Sequence, residues 1–275
     1  MTNSLLSTGR LVFIGAGNMA EAMVRGALVA GVVSAESVTV TDIVEERLTH
    51  FSDTYGVRTG TDNEVAVLDA EIIVLAVKPQ VLAHIVKGFA ASVPSDALVV
   101  SIAAGIPSHR IEEHLGESQR VVRVMPNTPC LVQQGASAVA AGRHAGPDDV
   151  RRTMALLESV GFVAEVDESD LDAVTALSGS GPAYVFLFIE ALVAGGTGLG
   201  LTESMARDLA VRTVRGAADL LESTGEEPET LRARVTSKGG TTEQAIAVLE
   251  ERSVREAVIA AMEAAAQRSH QLAEM

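Results

Sequence analysis

One cysteine, no tryptophan and a shortage of basic side chains set the first limits on this chain of 275 residues. Cys130 stands alone, so no disulfide can close within the chain, which suits a reducing compartment. Its sequence neighbours offer no paired base or positive charge, and it reads as a small buried residue, not a nucleophile. Lys and Arg number 21 against 36 Asp and Glu, and the formal charge of −15 argues against DNA, RNA or an anionic membrane surface as partner. Aromatics, at 3%, leave few stacking platforms for single-stranded nucleic acid. The six histidines form no ligand cluster; His109 and His114 read as part of a solvated helix face, and no metal is expected. The opening MTNSLLSTGRLVF shows no basic segment leading into an apolar run and a cleavage site, so no secretory leader is expected and the compartment reads as cytoplasmic. The most apolar stretch, Pro182 to Leu201, is broken by Glu190 and several glycines and reads as a buried core helix, not a membrane span.

What is present is globular: 47% apolar and 21% charged residues, on a chain long enough for one large domain or two ordinary ones. The first part alternates strand and helix. RLVFIG (10–15), SVTVTD (37–42), EIIVLAV (71–77), ALVVSI (97–102) and RVVRVM (120–125) are continuous apolar runs of the kind that form buried parallel strands. Helical patterns over 19–30, 45–55, 79–92 and 108–115 lie between them, which implies right-handed crossovers and a doubly wound sheet. ASAVAA (136–141) and FVAEV (162–166) extend that sheet around a helix over 148–159. Beyond Asp167 no strand is evident and helical periodicity dominates. The expectation is therefore an α/β chain: a doubly wound domain over 1–167 followed by an all-helical domain over 168–275. The helices are apolar on several faces, so an oligomer that shares those faces is expected.

Five features carry chemistry. The first strand runs directly into Gly15-Ala-Gly17-Asn-Met-Ala20 and then a helix, the context in which a G-x-G-x-x-A turn binds a dinucleotide. Gly15 makes the tight turn, Gly17 admits the pyrophosphate to the backbone, and Ala20 allows close packing of helix on strand. A negative net charge does not forbid this, because backbone N–H groups bind phosphate locally. Asp42 closes the second strand, where it either accepts from adenosine ribose hydroxyls and repels a 2′-phosphate, or caps the next helix. AVKPQ (76–80) places Lys78 at the carboxyl end of a strand, either near the nicotinamide or simply on the surface. MPNTP (125–129) offers Asn127 and Thr128 as donors to a cofactor. In VTSKGGTTEQAI (235–246) two glycines precede Thr241 and Thr242; the turn suits a carboxylate or phosphate, and Thr241 with Gln244 has capping-box spacing. Taken alone, that segment reads first as an ordinary capped helix start.

GAGNMAEAM, AVKPQ, RVMPNTP, ALSGSGPAY (176–184) and VTSKGGTTEQAI stand in the order and spacing of the pyrroline-5-carboxylate reductases, and the chain resembles that family along nearly its whole length. The resemblance implies an N-terminal Rossmann domain, a helical C-terminal domain interlocked in a homodimer, and possible further assembly to a decamer. It assigns Gly15, Gly17, Asn18, Met19, Asp42, Ala76, Lys78, Asn127 and Pro129 to NADPH or NADH. It assigns Ser237, Gly239, Gly240, Thr241 and Thr242 to the substrate, with the Thr242 hydroxyl bonding the ring nitrogen as the catalytic contact. Ser178, Ser180 and Pro182 fall near the cofactor and the subunit interface. Family members that favour NADPH often carry Ser, Asn or Arg just after the second strand; Thr41-Asp42-Ile43 here leans toward NADH. The implied reaction is reduction of the cyclic imine L-1-pyrroline-5-carboxylate to L-proline, the last step of proline synthesis. A reductase of a related imine carboxylate would use the same residues. A β-hydroxyacid dehydrogenase would rely on a lysine in the helical domain, where only Lys238 occurs. A non-catalytic dinucleotide sensor would have no use for the SGSGPAY and TSKGGTT segments.

Overall fold

A computed structural model of the chain describes residues 9–116 and 118–274. Most of the stretch read for a leader, residues 1–8, lies outside the described residues. The first half alternates β1 (Arg10–Ile14), α1 (Asn18–Val29), β2 (Val38–Thr41), α2 (Glu45–Tyr55), β3 (Arg58–Gly60), α3 (Asn63–Val67), β4 (Ala70–Leu75), α4 (Pro79–Phe89), β5 (Leu98–Ser101), α5 (Ser108–Glu112) and β6 (Arg120–Met125). It continues through β7 (Gly135–Ala141), α6 (Pro147–Leu157), β8 (Gly161–Glu165) and α7 (Leu171–Val174). The eight strands form one sheet in the order β3-β2-β1-β4-β5-β6-β7-β8. Pairing is parallel except between β6 and β7. The order reverses beside β1, so the carboxyl ends of β1 and β4 flank the switch point at which such sheets hold ligands.

The apolar runs form central strands because both faces of the sheet are covered. Side chains alternate across a strand, and Leu11 and Phe13 join one core with Met23 and Phe51, whereas Val12 and Ile14 join another with Leu82 and Phe89. β3 and α3 were absent from the sequence reading. β3 is a three-residue edge strand of Arg, Thr and Gly with no apolar signature, and α3 is too short for periodicity. Its start is nevertheless marked by Asp62, whose carboxylate accepts from the Val65 N–H at 3.2 Å.

No strand follows β8 among the described residues; the remainder is α8 (Gly181–Gly198), α9 (Glu203–Thr224), α10 (Pro228–Arg234), α11 (Thr241–Glu251) and α12 (Val254–Glu274). The chain divides into two compact units, residues 181–264 forming one and the rest, including the end of α12, the other. The sheet-bearing unit runs on past Asp167 because Leu171 is fully buried against Ala138 and Ala140 of β7. One expectation is overturned. α8 is not a buried core helix: none of its residues is buried, and Phe186 and Leu187 are 59% and 66% exposed. The run Glu168–Gly198 has a mean hydropathy of 1.5 in its most apolar window, of which 6% is buried. Composition reports that a helix is apolar, not whether its own chain covers it.

Candidate active site

At the switch point, β1 ends in a turn that only glycine can make. Gly15 has φ +108, and a Cβ there would stand 2.6 Å from the Ala76 carbonyl oxygen at the end of β4. Its N–H donates to the Thr41 carbonyl at 2.8 Å, which locks the turn against β2. Gly17 differs in kind: its backbone is extended, it caps α1, and a Cβ added there would meet nothing within 4 Å. Among the described residues no side-chain cap bond is made at the start of α1, and the space beside Gly17 at this positive dipole end is open. Ala20 is fully buried, as close packing of helix on sheet requires. Room at Gly17, free N–H groups and a helix start fit the pyrophosphate of a dinucleotide.

Side chains from the β2–α2 segment grip this turn. Asp42 Oδ2 accepts from the Ala16 N–H at 2.7 Å, and Oδ1 accepts from the Val44 N–H at 2.9 Å. Asp42 is thus neither a free carboxylate nor the cap of α2, whose N-cap residue is Val44, with no side-chain cap bond. Each oxygen keeps a lone pair with which to meet a hydroxyl. Arg47, missed in the sequence, donates Nε–H to the Ala16 carbonyl at 2.8 Å and Nη2–H to Glu21 Oε2 at 2.6 Å. Glu21 Oε1 also meets His50 Nε2 at 2.8 Å and accepts from the Tyr55 hydroxyl at 3.0 Å. Burial alone pushes the Glu21 carboxyl up, but the bonds from Arg47, His50 and Tyr55 together with the Arg47 charge outweigh it and hold it at about 2. Asn63, also missed, accepts from the buried Thr41 hydroxyl at 2.6 Å beside the end of β2. The only signal for Arg47 was a basic residue one turn into the helix after β2, and its target is backbone, which sequence does not show.

Along the same sheet edge, Ala76 N–H donates to the Ile14 carbonyl at 2.9 Å, and Lys78 stands exposed at the start of α4, ahead of Pro79. Asn127 is not an open donor: it is 8% exposed, its amide donates to the Ser178 carbonyl at 3.1 Å, and its oxygen accepts from the Ala136 N–H at 2.9 Å. Sequence alone suggests a cofactor donor at this position; in the fold Asn127 ties β7 to the ALSGSG segment. Thr128 is exposed and Pro129 half-buried. Cys130 is fully buried and burial pushes its thiol up, in keeping with an inert core residue. Residues Thr175–Gly179 form a single π-helical turn, with Ser180 N–H donating to the Thr175 carbonyl at 2.8 Å. A Cβ on Gly179 would meet the terminal methyl of Met125, Cε, at 2.3 Å, so any larger residue there displaces that side chain.

In the helical unit, the 235–240 turn leads into α11. Gly239 has φ +73, and a Cβ on Gly240 would stand 2.5 Å from Ser237 Oγ. The capping box expected from Thr241 and Gln244 does not form. Gly240 is the N-cap with no side-chain bond, Thr241 is the first helical residue, and Glu243 reaches back to accept from the Gly239 N–H at 2.7 Å. A box needs its hydroxyl one residue earlier. Without it, α11 begins as an uncapped helix start with Ser237, Thr241 and Thr242 at or beside it, Ser237 and Thr241 exposed and Thr242 half-buried. Among the described residues no group of three His, Cys, Asp or Glu stands close enough to hold a metal ion.

Residues 168–272 match the profile described as pyrroline-5-carboxylate reductase dimerisation, and residues 10–105 match that of a coenzyme F420-dependent NADP oxidoreductase. The pyrroline-5-carboxylate reductase of Methanosarcina acetivorans is 42% identical over 96% of this chain and 97% of its own. That of Corynebacterium melassecola is 43% identical over 95% and 98%. Among solved structures, the Coxiella burnetii pyrroline-5-carboxylate reductase superposes with a TM-score of 0.89 at 39% identity over 98% of this chain and 100% of that one. The Plasmodium falciparum pyrroline carboxylate reductase with NADP bound gives 0.88 at 29% identity over 98% and 99%. Sheet, turn and helical unit define an oxidoreductase that works with a nicotinamide dinucleotide. More narrowly, the chain belongs to the pyrroline-5-carboxylate reductase family.

Proposed function

We propose that the chain reduces L-1-pyrroline-5-carboxylate to L-proline in the cytoplasm, as the last step of proline synthesis. The observation that carries this reading is the match at above 40% identity along nearly the whole chain, which takes in both the Gly15–Ala20 turn and the 237–242 loop. The reaction adds a hydride to the imine carbon and a proton to the ring nitrogen. When bound, the nicotinamide supplies the hydride. The chain's residues do the rest. Gly15, Gly17, Asn18 and Met19 seat the pyrophosphate, with Ala76, Lys78 and Pro129 along the same sheet edge, where Asn127 fixes the backbone and does not itself donate. The Thr241 N–H and the Ser237 hydroxyl, on the turn that Gly239 and Gly240 shape, hold the substrate carboxylate at the start of α11, where the helix dipole favours an anion. Thr242 donates to the ring nitrogen; its hydroxyl is far too weak an acid to protonate the imine, so it positions the nitrogen and relays a proton from solvent.

Asp42, at the end of β2, accepts from the adenosine ribose and repels a 2′-phosphate in this reading, so NADH serves at least as well as NADPH. The exposed apolar face of α8 is covered by a second copy of the chain, giving a homodimer able to build a decamer. Oxidation of NADH and NADPH, followed spectrophotometrically with pyrroline-5-carboxylate and with its six-membered homologue, tests the reading. Turnover with the five-membered ring supports it. Turnover confined to the six-membered ring shows a related imine reductase, and none with either ring sinks the assignment.

A further inference from the structure

We infer that Arg47 is a positioning residue for the cofactor: with Asp42 it clamps the Ala16 peptide, the middle of the dinucleotide turn, from both sides. The inference rests on the reading of Gly15–Ala20 as the pyrophosphate seat. Ala16 is the residue on which the turn pivots, since Gly15 before it carries φ +108 and Gly17 after it opens α1. Its N–H is held by Asp42 Oδ2 at 2.7 Å and its carbonyl by Arg47 Nε at 2.8 Å. With both groups bonded, rotation of the peptides on either side of Ala16 breaks a charge-assisted bond. The turn's remaining N–H groups are thereby fixed before the cofactor arrives, and preorganised donors bind tighter than mobile ones.

Beyond Ala16, Arg47 is itself held from two sides. Glu21, in the first turn of α1, takes Nη2 at 2.6 Å, and the guanidinium lies 5.4 Å from the Phe51 ring centroid. His50 and Tyr55, on the same helix as Arg47, fill the other oxygen of Glu21. A guanidinium can serve Ala16 and Glu21 together because its donors diverge in one plane; an ammonium cannot hold both in that geometry. The arrangement also commits the Arg47 side chain. Its Nε–H is turned to backbone and its charge is paired with Glu21.

The test uses the full-length protein, with direct titration of NADH and NADPH beside steady-state kinetics on pyrroline-5-carboxylate. Arg47→Met keeps the aliphatic stem on Phe51 and removes both bonds. The dinucleotide Kd should rise about ten- to a hundredfold, as expected for losing one or two charge-assisted bonds. The kcat at saturating cofactor and the KM for the imine should each move by less than about threefold, because the turn touches only the dinucleotide. Arg47→Lys should recover part of the affinity. Glu21→Gln leaves Arg47 in place but weakens its anchor, and should raise Kd about three- to tenfold; it carries the test if Arg47→Met fails to fold. Gly17→Val separates the two readings. If it abolishes cofactor binding while folded Arg47→Met or Glu21→Gln binds like wild type, the clamp is overturned and the site stands. If Gly17→Val also binds normally, the turn is not the cofactor seat. A loss of kcat and imine affinity equal to the loss of cofactor affinity overturns the clamp in favour of general destabilisation.

Discussion

Two glycines separated by a single residue, Gly15 and Gly17, should fail in opposite ways when substituted. Gly15→Ala places a side chain at φ +108, a backbone region costing an L-residue about 1–3 kcal/mol. It also sets a Cβ at 2.6 Å from the Ala76 carbonyl and 2.9 Å from its carbon, both backbone atoms on the neighbouring strand. Relief requires β1 and β4 to part at the sheet's centre, where Ile14 and Leu75 pair and are almost fully buried. A total loss of about 3–4 kcal/mol follows from strain plus imperfect packing. For a chain of this size that lowers Tm by roughly 6–15 °C. Gly17→Val starts from an extended φ of −74 with nothing within 4 Å of the new Cβ. It loses only the mild advantage of Gly at an N-cap, about 0.5–1 kcal/mol, or roughly 1–4 °C. Its branched side chain occupies the space at the helix start, and cofactor affinity should fall at least about a hundredfold through steric exclusion. Calorimetry and cofactor titration on both variants decide the matter. A folded Gly17→Val with wild-type affinity, or Gly15→Ala with an unchanged melting temperature, refutes the reasoning.

Asp42→Ser should shift cofactor preference toward NADPH and also weaken both dinucleotides, because it releases the Ala16 N–H; kinetics with each cofactor would show it, and a wild type that strongly prefers NADPH argues against the role given to Asp42. Thr242→Ala should cut turnover by roughly ten- to a thousandfold, the range for one site hydrogen bond that strengthens toward the transition state. Thr242→Ser should keep much of the rate, and undiminished turnover in the alanine variant removes Thr242 from the chemistry. Glu21 is lowered from 4.5 to about 2, so its contribution to stability is complete above about pH 5 and drains away as the pH falls toward 2. Glu21→Gln should therefore be less stable than wild type by at most about 3 kcal/mol near neutrality. The gap should close on acidification below about pH 4.5, and denaturant melts showing a constant gap would contradict the ion network.

The sequence by itself determined what neighbours along the chain determine. Continuous Val and Ile runs mark strands because both faces of each strand are buried, and GAGNMA marks a dinucleotide turn because strand, glycines and helix start are contiguous. The family motifs are legible for the same reason, each being a short unbroken word. The tertiary structure decided whatever depends on which distant segments meet. Asp42 and Arg47 reach Ala16 across 26 and 31 residues, a meeting that exists only because β2 lies beside β1 in parallel register. Asn127, legible as a polar residue at a strand end, was turned into a tie by Ser178, 51 residues on. The capping box at Thr241 failed by one residue because α11 takes Gly240 as its N-cap and Thr241 as its first helical residue. β3 escaped notice because edge pairing asks for backbone partners rather than apolar side chains. The apolarity of α8 was plain from its residues, but its exposure is a property of the folded chain, since a helix records its own hydrophobicity and not what lies against it.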